Sequence, residues 1–169
     1  MKKILSAILV AVMMIAVLAS CATGGPGGSV TTSGTNTTVK LVFKVGEETI
    51  YGPNVTVNGD APVIMDAVKE MIKNKAFKVT ISEAGDKVSS VDSYRDCILT
   101  VNGSDVSYYW TCTLNGSKKE NPKEEPIAEG DEIVFVFTRG YMDANDDYQE
   151  GPYDPSTNEY KDPEAETAA

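Results

Sequence analysis

Residues 96–115 constrain the fold of this chain most, because they read as two β-strands joined by a turn. The sequence DCILTVNGSDVSYYWTCTLN alternates apolar and polar side chains on both sides of residues 103–105. A turn centred between Ser104 and Asp105 would place Cys97 directly opposite Cys112. The same register gathers large apolar side chains on one face, namely Leu99, Val101, Tyr108 and Trp110. We therefore predict a hairpin with one buried face.

Further segments have the patterns of strands and of one helix. The predicted strands are residues 39–45, 54–57, 77–82 and 133–137, and the last is apolar on both faces, as in a central strand. Residues 83–95 are predicted as a loop. Apolar residues recur at helical spacing within residues 62–74, which predicts an amphipathic helix capped by Asp60. The fold class is therefore α+β, with one helix packed across a mixed sheet of about five to six strands.

The first 38 residues read as an export signal and a tether. Lys2 and Lys3 precede an apolar stretch that is short for a membrane span, which needs roughly 20 residues. Residues 18–21, Leu-Ala-Ser-Cys, resemble the lipobox of bacterial lipoproteins. The resemblance implies a signal peptide at 1–20, a lipid on Cys21 and attachment to the extracytoplasmic face of the cell membrane. An ordinary secretory signal or an N-terminal anchor helix is the alternative. The Gly-, Ser- and Thr-rich residues up to 38 form a flexible linker in this prediction.

Two cysteines remain once Cys21 is assigned to the lipid. Cys97 and Cys112 are an even pair in a compartment where disulfides persist, and their opposed positions in the predicted hairpin favour a disulfide bond. Two buried, reduced thiols are the alternative. Two thiols without histidine supply too few ligands for zinc, so no metal site is predicted.

The charge composition narrows the class of function. The chain has 25 Asp and Glu against 15 Lys and Arg, a formal net charge of −10, and no histidine. The absence of histidine removes the commonest general base and every Ser/His or Cys/His pair, so an enzyme is not expected. Nucleic-acid binding is not expected either, because an acidic surface cannot replace the counterions of a phosphate backbone.

The last 28 residues, 142–169, are acidic and rich in turn-forming residues, and we predict a disordered or loosely docked tail. Asp143, Asn145 and Asp147 match the first three positions of a calcium loop. Tyr148 and Asp154 stand where such a loop needs Gly and Glu, so a solvated tail is the preferred interpretation. Lys118, Lys119 and Lys123 lie in a polar loop and could meet an anion, with a solvated loop as the alternative.

Four short motifs, in this order, resemble the transcobalamin-like C-terminal domain family (DUF4430) of bacterial surface proteins. They are residues 63–68, Tyr109-Trp110, Leu114-Asn115-Gly116 and residues 127–133. The resemblance implies a β-grasp-like domain at residues 39–141. In animal cobalamin carriers this domain covers one face of a corrinoid, so the resemblance implies a ligand of that class.

Four residues are candidates for contact with a ligand: Tyr108, Tyr109, Trp110 and Asn115. Alternation along the strand turns Tyr108 and Trp110 toward the helix and Tyr109 away from it, so Trp110 is equally a core residue and Tyr109 is the more exposed. We predict a lipid-anchored, extracytoplasmic module that binds a small ligand, with a cobalamin-like corrinoid as candidate and no resident cofactor. A cell-surface module that binds another protein is the alternative.

Overall fold

The computed structural model describes residues 35–163. The predicted signal peptide, the lipidation of Cys21 and the linker up to residue 34 lie outside the described residues, as do residues 164–169. The end of the predicted linker is wrong, because residues 36–38 belong to the first strand. Within the described part of the chain, the one helix falls short of the length and hydropathy needed to cross a membrane.

Within residues 35–163, eleven strands form one sheet of eight strands and one of three. In chain order they are β1 (Asn36–Val45), β2 (Glu48–Tyr51), β3 (Asn54–Asn58), β4 (Val79–Ile81), β5 (Val88–Val91), β6 (Tyr94–Arg95), β7 (Cys97–Val101), β8 (Ser104–Leu114), β9 (Ser117–Lys119), β10 (Glu132–Met142) and β11 (Tyr148–Pro152). The α+β class is as predicted, but eleven strands exceed the five or six expected. Part of the excess comes from residues 83–95, where the predicted loop is wrong because β5 pairs with β4 on one side and with β6 on the other.

The large sheet is mixed and is centred on β10. Its main path is β2-β1-β10-β8-β7, and β3, β9 and β11 pair with β1, β8 and β10. Strands β1 and β10 are parallel, whereas β10 and β8 are antiparallel. Ile133, Phe135 and Phe137 of β10 are almost fully buried. Because β10 pairs with β1 on one side and with β8 on the other, its predicted central position is confirmed.

The predicted helix is present as α1 (Ile64–Lys73), but it begins later than expected. Its buried residues face β3 and β1. Asp60 is not the cap: Val63 is the N-cap residue, and its N–H donates to the Asp66 carboxylate at 3.2 Å. Val63 also forms a β-bridge with Pro126. That bridge holds the chain extended, so the helix can begin only at the next residue.

The predicted register of the β7–β8 hairpin is wrong. The turn is Asn102-Gly103, with φ of 51° and 85°, and it places Cys97 opposite Tyr108. An Asn-Gly pair with two positive φ angles closes a two-residue type I′ turn, and this turn fixes the register. The slip spans an even number of residues, so every side chain keeps its predicted face. Tyr108, Trp110 and Cys112 are all buried.

The predicted disulfide is absent for the same reason. Cys112 lies four positions beyond Tyr108, the partner of Cys97, which is about 14 Å along the strand. A disulfide needs Cα atoms within roughly 7 Å. Cys97 and Cys112 are free thiols in the structure.

We expect both thiols to react only slowly in the folded protein. Burial raises the pKa of Cys97 and raises that of Cys112 to about 12, so little thiolate forms near neutral pH. With a disulfide-exchange reagent at about pH 8, half-buried Cys97 should be labelled first and Cys112 only on unfolding. Cys97→Ser should remove the first phase. An intact mass that is lower by two hydrogens, and that returns to the full value after reduction, would show a disulfide bond and contradict this expectation.

The expectation of a disordered C-terminal tail is wrong for residues 143–163. Strand β11 pairs with the end of β10, and Tyr153 and Tyr160 are 3% and 8% exposed. Asp143 closes the turn before β11 by accepting the N–H groups of Asn145 and Asp147. These hydrogen bonds make the acidic loop a turn in this structure. Among residues 35–163, no group of three or more Cys, Asp or Glu side chains is arranged to hold a metal ion.

Candidate functional site

The four predicted ligand residues do not come together. Tyr108 and Trp110 lie on the core face of β8 and are 1% and 6% exposed. Tyr109 lies on the opposite face and is half-buried, and Asn115 is exposed in the β8–β9 turn. The side chains therefore do not form one aromatic platform.

Trp110 has the surroundings of a core residue. Its ring centroid lies 5.2 Å from that of Phe137 and 6.1 Å from that of Phe43. Its indole N–H donates to the carbonyl oxygen of Tyr94 at 3.1 Å, so its polar atom is satisfied internally. Trp110 is therefore a core residue, which is one of the two roles that the sequence left open.

Asn115 joins two of the motifs that carry the family resemblance. Its side-chain amide donates to Asp131 at 2.8 Å, and its side-chain oxygen accepts the N–H of Glu132 at 2.9 Å. The start of α1 is tied to the residues just before that segment, since the N–H of Ile64 donates to the carbonyl of Glu125 at 3.0 Å. These motifs therefore hold one end of the sheet to the helix.

We expect Asn115→Ala to lower stability rather than to remove a ligand contact. Asn102 is a matched control, since both residues have a φ of 51° in an Asn-Gly turn. The backbone strain of the two alanine variants should be alike, so Asn115→Ala should cost about 1–3 kcal/mol more for its two lost hydrogen bonds. Urea denaturation measures this difference, and equal losses for the two variants would contradict the structural role of Asn115.

A cleft lies beside β8 between the end of its pairing with β7 and the start of its pairing with β9. Strand β7 pairs with β8 up to Tyr108 and β9 pairs from Cys112, so among the described strands none pairs on that side at residues 109–111. The N–H of Trp110 donates there to the Asp96 carboxylate at 3.3 Å. The resulting cavity is about 290 Å³, and we call it the β8 cleft; its lining includes Lys87, Trp110, Lys118, Lys119, Pro122 and Glu150.

The charges of the β8 cleft are paired. Lys87 contacts Asp96 at 2.6 Å, Lys118 contacts Glu150 at 2.7 Å and Lys119 contacts Glu125 at 2.9 Å. The hydrogen bond from Lys118 lowers the pKa of Glu150, whereas burial raises the pKa of Asp96. Because each lysine already meets a carboxylate, the cleft offers polar groups of both signs and suits a neutral polar ligand better than an anion.

Tyr109 forms one wall of the β8 cleft. Its hydroxyl lies 2.8 Å from that of Tyr148 and donates to Glu150 at 2.9 Å. Gly140 leaves room for the Tyr148 hydroxyl, because a Cβ there would overlap it. Burial, then the hydrogen bonds to Tyr148 and Glu150, raise the pKa of Tyr109, so its hydroxyl stays protonated. Sequence reasoning missed Tyr148 and Glu150 because it assigned both to a disordered tail.

Comparison with known proteins does not identify a family for this chain. No family model matches the sequence, and no curated protein matches it. Among solved structures the chain is similar to haptocorrin in complex with Cbi, with 17% identity and a TM-score of 0.44. The likeness covers 72% of this chain and 28% of that chain, so this chain spans less than a third of its length. At this level the likeness does not decide the family or the ligand.

Proposed function

We propose that the chain is a lipid-anchored, extracytoplasmic binding module, without catalytic activity, that holds a small polar ligand in the β8 cleft. The observation that carries the proposal is the interrupted pairing of β8, which leaves a cavity of about 290 Å³ beside a central part of the sheet. Ligand sites are concave and start at about this size. The anchor rests on the lipobox-like residues that end at Cys21.

A corrinoid is the candidate ligand, and the resemblance of the four motifs to the transcobalamin-like domain supports it. Corrinoids carry amide side chains around the ring, and the β8 cleft has matching groups: the ammonium of Lys118, the hydroxyl of Tyr109 and the carboxylate of Glu150. The cavity is too small for a whole ring, so one edge of the ligand would enter. Contact of that size predicts weak binding, with Kd between about 1 μM and 1 mM.

Titration of residues 22–169 with cobinamide and cyanocobalamin tests the proposal. We expect heat in calorimetry and a shift in the corrinoid absorbance, with saturation below about 1 mM. Absence of both signals at that concentration would remove the corrinoid, and a stabilisation screen with other small polar molecules would then test the wider proposal.

Two lysine variants locate the site. Lys118→Met removes the charge from the β8 cleft at nearly constant size, and we expect binding to weaken at least about fivefold. Lys123→Met is the matched control, because Lys123 contacts the carbonyl of Ala84 and does not line the cleft. Equal affinity for all three proteins would place the ligand elsewhere.

The edge of β7 favours a protein partner as a second candidate function. Within the described chain β7 pairs with β8 alone, and its Ile98 side chain is 68% exposed. An exposed edge with an apolar side chain can add a strand from another protein. Ile98→Lys should then abolish capture of an envelope protein by the anchored chain while leaving corrinoid binding unchanged. Capture that survives Ile98→Lys would contradict this candidate.

A further inference from the structure

Residues 153–162, which we call the strap, cover three aromatic rings of the domain. Those rings are Tyr94, Tyr108 and Phe137, and together they form what we call the aromatic groove. The Tyr160 ring centroid lies 5.6, 5.2 and 5.1 Å from theirs, respectively. The Tyr153 ring lies 5.7 Å from Tyr108 and 5.8 Å from Phe137. Two strap tyrosines therefore fill one groove.

The polar atoms of the strap are also matched to the groove. The hydroxyl of Tyr160 donates to the carbonyl of Ser93 at 2.8 Å and accepts the N–H of Arg95 at 3.0 Å. The N–H of Tyr153 donates to the carbonyl of Phe137 at 2.9 Å. These contacts hold the two tyrosines of the strap in the groove, one on each side of the single 3-10 turn at Pro155–Thr157.

Charge complementarity is the second feature of this contact. The chain has two arginines, and each pairs with a carboxylate of the strap. Arg95 Nε lies 2.8 Å from Asp162, and Arg139 Nε lies 3.0 Å from Glu159. The four side chains are mostly buried, between 17% and 27% exposed. A guanidinium matches a carboxylate in shape as well as charge, so the groove selects an acidic segment.

The strap makes no hydrogen bond to the Tyr108 hydroxyl at the floor of the groove. Tyr108 is 1% exposed, and its hydroxyl, near Arg139, makes no hydrogen bond of normal geometry within the described chain. An occupant with a polar group at that point would satisfy it. After β11 ends at Pro152 the strap adds no strand to either sheet, so its departure would break the backbone hydrogen bond from Tyr153 to Phe137 but no further ladder.

We propose that the aromatic groove is a recognition site for an acidic peptide of another polypeptide, and that the strap fills it in cis. The partner segment has the strap's chemistry, Tyr-x5-Glu-Tyr-x-Asp, in which the two tyrosines enter the groove and the two carboxylates meet Arg95 and Arg139. A partner binds by displacing the strap, so the free energy of docking the strap lowers the affinity of the groove for the partner. This site is separate from the β8 cleft and does not depend on the function proposed there.

A labelled peptide tests the proposal on the full chain in mild detergent. The probe is the fluorescein-labelled sequence YDPSTNEYKD, read by fluorescence anisotropy. Glu159→Gln with Asp162→Asn in the protein weakens the strap in cis, and we expect this variant to bind the probe at least about tenfold more tightly than the unaltered chain does. The same two changes made in the peptide should weaken binding at least about tenfold.

Equal binding of the acidic and the amide peptide, or no binding to either protein at about 1 mM, overturns the proposal. If the variant unfolds, the unaltered chain decides: saturating probe must speed hydrogen exchange at the amide of Tyr153, and unchanged exchange overturns the proposal. A concentration-dependent dimer that the double variant abolishes supports it and identifies a second copy as the partner.

Discussion

Tyr160→Ala is expected to lower the free energy of unfolding by about 3–5 kcal/mol, the usual loss for a buried aromatic side chain. The ring is 8% exposed and contacts four other aromatic rings of the domain. Urea denaturation followed by the fluorescence of Trp110, the single tryptophan, measures it. Tyr148→Ala is the control, because Tyr148 is 55% exposed, and it should cost about 1 kcal/mol or less.

Two phenylalanine variants then separate the hydroxyl from the ring. Tyr160→Phe loses hydrogen bonds to Ser93 and Arg95 and should cost about 1–3 kcal/mol. Tyr108→Phe removes a buried hydroxyl that has no hydrogen bond of normal geometry in the described chain, so the change should be within about 0.5 kcal/mol. Equal losses for the two variants, or a Tyr160→Ala loss below about 1 kcal/mol, would show that the strap is not part of the core.

Gly46→Ala is expected to cost about 2–4 kcal/mol, from backbone strain together with a steric clash against the strap. Gly46 has a φ of +58°, and a Cβ there would lie 2.8 Å from Cδ of Pro155. Gly116→Ala is the matched control: its φ is +80° but no atom lies within 4 Å, so it should cost only about 1–2 kcal/mol. The difference between the two losses in the free energy of unfolding is the part due to the clash with the strap.

Pro155→Ala gives a direct test of that difference. Alanine lacks Cδ and Cγ, so Gly46→Ala should cost at least about 1 kcal/mol less in the Pro155→Ala background than alone. Purely additive losses in thermal or urea denaturation would mean that Gly46 and the strap do not meet in solution.

The helix, the central strand and the faces of the hairpin could all be predicted, because each depends on a local repeat. Period-two alternation fixes which face a residue of β7 or β8 takes, and the even slip in register left those faces unchanged. The register itself depends on the turn. The Asn102-Gly103 pair is typical of a type I′ turn and predicts the observed register. The prediction was wrong because it chose the register that places the two cysteines opposite each other.

The candidate sites could not be predicted, because they arise from contacts between distant segments. The β8 cleft exists because β7 stops and β9 starts at different points along β8, which no local pattern encodes. The strap looks disordered by composition, yet its acidic residues pair with Arg95 and Arg139 far away in the chain. A segment that is too polar to fold alone becomes ordered when distant partners supply both apolar surface and opposite charge.

Strand β8 connects the two proposed sites. Tyr108 lies at the floor of the aromatic groove, while Tyr109 and Trp110 border the β8 cleft. Alternation along the strand turns Tyr108 and Tyr109 to opposite faces, and the pairing of β8 ends between them on the β7 side. The same short run that stood out in the sequence therefore serves both surfaces, although not as a single platform.

Amide hydrogen exchange on the full chain tests most directly whether the C-terminal residues belong to the domain. The amide of Tyr153, which donates to the carbonyl of Phe137, should exchange at least about 100-fold more slowly than in an unstructured peptide. Exchange at the unstructured rate throughout residues 153–162 would contradict the account, because neither the strap nor the groove beneath it would then exist as described.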